Sequence, residues 1–178
     1  MKNLENAKKI LKDGNFTCVL CKDGTTYTTT ERGVKPLVRW LTEETNLQGF
    51  SAADKVVGKA TAYLYCLLGV KSVYAPVIST AALEVLRRHG IHTEFDLEAD
   101  FIWNRRKTGP CPMESAVREI SDPREAYAAI LQTLAAIGGD GHGIAFLLQI
   151  HLQQLRDILV VFHDQNRYSH ILSSSVFR

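Results

Sequence analysis

The stretch VKSVYAPVISTAALEVLRRHGIHTEFD (residues 70–96) decides the fold class. VKSVYAPVI is an apolar run of the kind buried on both faces of a sheet. STAALEVLRRHG has helical spacing, with Ser79 or Thr80 as its cap and Gly90 as its stop. IHTEFD is a second, short strand. Strand, helix and strand within about thirty residues make a βαβ unit, whose two strands lie parallel.

On the N-terminal side, Leu4, Ala7, Ile10 and Leu11 recur at helical spacing before Asp13-Gly14-Asn15. FTCVLCKDGTTYTTT (16–30) reads as a β-hairpin turning at Asp23-Gly24. A loop over 30–33 leads to a helix from Val34 to Glu44, with Pro36 tolerated in its first turn. In GFSAADKVVGKA (49–60), Ser51 followed by Asp54 approximates a capping box and predicts a helix from Ser51 to about Leu68, before Gly69. Lys55 then stands in the first turn of that helix, where the backbone dipole disfavours a cation.

On the C-terminal side, helical patterns cover Met113 to Ile120 and Pro123 to Ile137. Gly138-Gly139-Asp140-Gly141-His142-Gly143 is the clearest linker. The expected organisation is therefore a domain over 1–137 and, over 138–178, a linker with a helical extension. There Ile144, Leu147, Leu148, His151, Leu155, Ile158, Leu159 and Phe162 form one apolar stripe. Such a stripe must be buried, against the domain or in a homo-oligomer formed through 144–162. The element order implies a single mixed sheet with helices on both faces.

The 178 residues are 46% hydrophobic and 22% charged, ordinary globular material. With 21 basic and 19 acidic residues, the charge is too balanced for nucleic-acid binding by the whole protein. The start lacks the apolar core of a secretory signal, and no segment offers the eighteen or so charge-free apolar residues of a membrane span. A cytoplasmic location with no membrane partner is expected. Cys18, Cys21, Cys66 and Cys111 then read as free thiols rather than disulfides. In a strand, the CxxC of Cys18 and Cys21 points its two thiols to opposite faces, which argues against a zinc knuckle.

Three motifs in order, TERGVKPL (30–37), GFSAADKVVGKA (49–60) and CPMESAV (111–117), resemble an uncharacterised bacterial domain family with the cytidine deaminase-like fold. The resemblance covers about residues 1–137. It implies a three-layer α/β/α sandwich with a mixed sheet, and no activity. Zinc deaminases carry H-x-E at one helix start and P-C-x-x-C at the next, so that His and two Cys hold the metal. Here the first start reads Ser51-Ala52-Ala53-Asp54-Lys55 and the second Pro76-Val77-Ile78-Ser79-Thr80. Neither holds an imidazole or thiol, so zinc deamination, a metal site and a cofactor are not expected.

Helix starts following a crossover gather free N–H groups at one sheet edge, where anions bind. On this basis Ser51, Asp54, Lys55, Ser79 and Thr80 line a cleft for a small anionic ligand, nucleotide-like or phosphorylated. Ser51 and Asp54 acting only as caps, with Lys55 projecting into water, is the competing reading. The loop Asn104 to Glu114 is the second candidate, through Asn104, Thr108, Cys111 and Glu114, and Glu31 and Arg32 can converge on the same cleft. Its Arg105, Arg106 and Lys107 read equally as a solvated charge run. Cys111 lacks a histidine close in sequence to activate it. Two other functions stand beside ligand binding: an RNA or single-stranded nucleic-acid module using the basic loop with Lys55 and Lys59, and a structural or protein-interaction role.

Overall fold

In the computed structural model, the described residues are 2–104 and 106–138. By compactness the chain divides into a unit of residues 1–133 and a second of residues 134–178. Beyond Gly138, which closes a helix, the expected linker lies outside the described residues, as do the stripe over 144–162 and Arg105.

Helix α1 (Lys2–Asp13) precedes a hairpin of β1 (Cys18–Lys22) and β2 (Thr25–Thr29). Asp23 and Gly24 both take positive φ, 47° and 89°, the backbone of a tight primed turn. Helix α2 (Lys35–Thr42) follows, with Pro36 in its first turn, then β3 (Ser51–Asp54), β4 (Val56–Val57) and α3 (Lys59–Leu68). β5 (Ser72–Ser79), α4 (Thr80–Arg88) and β6 (His92–Ala99) form the expected βαβ unit. α5 (Pro112–Ala116) and α6 (Pro123–Gly138) complete the described chain. α5 is shorter than the pattern over Met113 to Ile120, because Arg118 and Ile120 bond three residues back, to Ser115 and Val117, and tighten the chain into a turn.

The sheet is mixed. β2, β1 and β3 pair antiparallel, whereas β3, β4 and β6 all run parallel to β5. The register between β3 and β5, Ser51↔Ser72, continues unchanged through Val57↔Ile78, so β4 prolongs β3 along the same side of β5. β6 takes the other side and forms one edge of the sheet.

The helix expected from Ser51 is a strand over its first seven residues. Ala52 and Ala53 are fully buried between β1 and β5, and a central strand with both faces covered needs small side chains there. Local helix propensity yields to that tertiary pairing. The Ser51 hydroxyl accepts from Ser72 Oγ at 2.8 Å instead of capping a helix. Lys55 sits in the bend between β3 and β4, and the register places it opposite Pro76, which has no N–H to contribute to a ladder. The Lys55 N–H turns the other way and donates to Thr17 O at 3.0 Å.

Helices cover both faces. Leu4, Ala7 and Leu11 of α1 pack with Val19, Cys21, Ala53 and Tyr74. Strand alternation sends Cys18, Leu20, Ala52 and Asp54 to the opposite face, where Tyr65 of α3 bonds both Cys18 and Asp54. On that side α2 packs on α3, and α3 on α4. The result is the expected three-layer α/β/α arrangement.

Candidate functional site

Helix α3 starts at Gly58-Lys59-Ala60, and Gly58 has no side chain to cap it. The cap comes from 54 residues away. Glu114 Oε1 of α5 accepts from the Ala60 N–H at 3.2 Å. A β-carbon on residue 58 would collide with that carboxylate, so glycine is what allows Glu114 to close on the helix. Burial pushes the Glu114 carboxyl above its ordinary range, while the Ala60 and Lys59 N–H groups, the Lys59 charge and the Ser79 hydroxyl pull it back.

Ser79 links this point to the second helix start. It is fully buried and caps α4, its Oγ accepting from the Ala82 N–H at 3.2 Å. The hydroxyl that caps α4 thus lies beside the carboxylate that caps α3. The chain after Glu114 is strapped to α3 as well: Lys59 Nζ donates to Arg118 O, and Tyr63 Oη donates to Ile120 O at 2.6 Å.

A second cluster lies at the end of β3. Tyr65 Oη donates to Asp54 Oδ2 at 2.8 Å, the Val56 N–H donates to Asp54 Oδ1 at 3.2 Å, and Cys18 Sγ lies 3.2 Å from the same phenol. Cys18 and Tyr65 are fully enclosed, and desolvation holds both well above their usual pKa. Desolvation also dominates at Asp54, whose pKa is pushed up to about 6 against the pull of its two donors.

Of the residues expected in the cleft, the structure brings together Ser79 and Glu114. Ser51 lies at the opposite, N-terminal end of the parallel strands from Ser79. Lys55 is exposed in the strand bend, not in a helical first turn, and Asp54 faces Tyr65 instead of capping. Thr80 Oγ1 donates to Glu98 at 2.8 Å. Glu31 pairs with Arg39 on the surface, and Arg32 is exposed. Asn104 and Thr108 bond to each other, the Thr108 N–H to Asn104 Oδ1 at 3.1 Å, and so close their own loop. Cys111 occupies the cap position of α5 without a side-chain bond. Of Gly58, Lys59 and Ala60, only Lys59 stands among the sequence candidates, and there as a cation for nucleic acid rather than as part of this helix start. Their signal was the glycine ahead of a helix-forming run, obscured by the assignment of 51–57 to the helix.

A groove of about 310 Å³ lies elsewhere, lined among others by Trp40, Thr45, Leu47, Gln48 and Leu68. It holds none of these residues.

The donor set does not suit the zinc of a deaminase. The helix starts supply Gly58-Lys59-Ala60 and Ser79-Thr80, with one carboxylate from Glu114 and neither imidazole nor thiol. Moving the first start by eight residues leaves that argument unchanged. Among the described residues, no group of three or more His, Cys, Asp or Glu side chains is placed to hold a metal ion.

Residues 6–134 match the model of the family described as TM1506, domain of unknown function (DUF1893). The chain belongs to the DUF1893 family. A solved DUF1893 family protein (TM1506) from Thermotoga maritima is 28% identical, with a TM-score of 0.67 over 74% of this chain and 89% of that one. The dCMP deaminase of the cyanophage S-TIM5, in apo form, matches at 16% identity and a TM-score of 0.35, over 53% of this chain and 94% of that one. At that level the likeness carries no argument. No curated protein matches the chain. Among the described residues of this DUF1893 domain, no helix is long and apolar enough to cross a membrane.

Proposed function

We propose that the protein is a zinc-free, deaminase-like domain that binds a small anionic ligand, nucleotide-like or phosphorylated, where α3 and α4 begin. One observation carries this reading: the site already receives an anion, the Glu114 carboxylate, on the Ala60 N–H. A phosphate or carboxylate that displaces Glu114 meets the same N–H groups, the Ser79 hydroxyl and the positive end of the α3 dipole. Lys59, on the first turn of α3, is the nearby cation. Its ammonium is engaged by the Arg118 carbonyl and becomes available once the strap lifts. Zinc-dependent deamination has no part in this function, because the ligands for the metal are missing from both helix starts.

The test is thermal-shift titration of wild type and Glu114→Ala against nucleotides and phosphorylated metabolites. Removing the internal competitor should enlarge the response to the true ligand class. If neither protein responds to any member of the panel, the proposal fails.

A further inference from the structure

β6 is a sheet edge of eight residues, His92–Ala99, paired only with β5 among the described residues. Edge strands are usually blunted by charged side chains, proline or a bulge; this one has neither proline nor bulge, and its carboxylates, Glu94, Asp96 and Glu98, all lie on one face. One of its faces carries Phe95 and Leu97, 42% and 58% exposed, and Phe101 and Trp103 just beyond add a tilted aromatic pair with ring centroids 4.8 Å apart. The other face carries an acidic row. Glu94 is paired with Lys8 at 2.7 Å, whereas Asp96 and Glu98 meet only the hydroxyls of Tyr74 and Thr80 and no cation among the described residues.

We propose that β6 is a docking edge for an extended segment of a partner protein in which lysine or arginine alternates with apolar residues. Added as a further strand, that segment completes the backbone ladder. It places its cations along Asp96 and Glu98 and its apolar side chains over Phe95 and Leu97. Charge decides against a second copy of this chain as the occupant. Antiparallel self-pairing centred on Phe95 would set Glu94 against Asp96, and centring on Asp96 would set Glu94 against Glu98, like charge opposite like charge in both cases.

The experiment uses the full chain and a capped peptide alternating lysine and valine, with a glutamate–valine peptide and a block-ordered lysine and valine peptide as controls. Trp103, half exposed next to the strand, reports binding by fluorescence, while Trp40 is buried. The alternating basic peptide should bind, more weakly as salt is raised from about 50 to 300 mM. Leu97→Lys should reduce its affinity about tenfold or more at an unchanged thermal midpoint, as expected for an exposed anchor position. Equal binding of the glutamate peptide, of the block peptide, or by Leu97→Lys would overturn the proposal. So would absence of binding, and concentration-dependent self-association lost in Leu97→Lys would then identify a second copy as the occupant.

Discussion

Glu114 stands where a side chain on residue 58 would have to go, and it spends that proximity on the N–H of Ala60. The cap of α3 seen among the described residues is therefore a tertiary contact. Losing it exposes the helix start of a buried central helix.

Gly58→Ala should cost about 1–2 kcal/mol, the usual worth of a cap, because the new methyl displaces the Glu114 carboxylate. Glu114→Ala alone should cost a similar amount. The double variant should cost clearly less than the sum of the two, since both changes break one interaction. Urea denaturation of the four proteins measures the cycle, and strict additivity would refute the contact.

Asp54 makes stability depend on pH in an unusual direction. Its native pKa of about 6 exceeds the ordinary value of 3.8, so the folded state holds this proton more tightly than the unfolded chain. The contribution is fully present below the unfolded value and is lost as pH rises through 6, to a total of about 3 kcal/mol. Asp54→Asn should flatten the denaturation midpoint between about pH 4 and 7. A slope identical to wild type over that range would assign the titration to another group.

Tyr65→Phe removes the donor that Asp54 Oδ2 relies on and leaves the carboxylate less satisfied. The expected cost is about 1–3 kcal/mol at neutral pH. It should shrink on acidification, as Asp54 takes up its proton. Measuring the variant at two pH values separates this from simple loss of packing, which would be independent of pH.

Thiol reactivity should follow burial. Cys18 and Cys21 are buried, and burial pushes the Cys66 thiol up to about 12, whereas Cys111 is part exposed at the start of α5. A disulfide reagent at pH 8 should modify Cys111 first, and Cys18 and Cys21 only on unfolding. Rapid modification of Cys18 in native protein would contradict its enclosure by Tyr65.

The elements that read correctly from sequence are those whose signals are local. Asp23-Gly24 turns the hairpin, Ser79 caps α4, Gly90 ends it, and the apolar run from Val70 to Ile78 is the central strand. The reading failed at Ser51 to Val57, where Ser51 and Asp54 mimic a capping box. A strand of small residues there is recognisable only from its two neighbours. The site was half legible for the same reason. Ser79 and Glu114 stood out in their own segments, but the role of Gly58, Lys59 and Ala60 depends on a carboxylate 54 residues further along.

By itself the sequence determined the α/β class, the parallel crossover and the lack of zinc ligands at both helix starts, because periodicity, caps and residue chemistry are written locally. Only the tertiary structure decided that Lys55 lies in a strand bend opposite Pro76, and that Glu114 caps α3 from 54 residues away, beside Ser79. Strand pairing and long-range capping are contacts between segments far apart in the chain, and no local propensity encodes them.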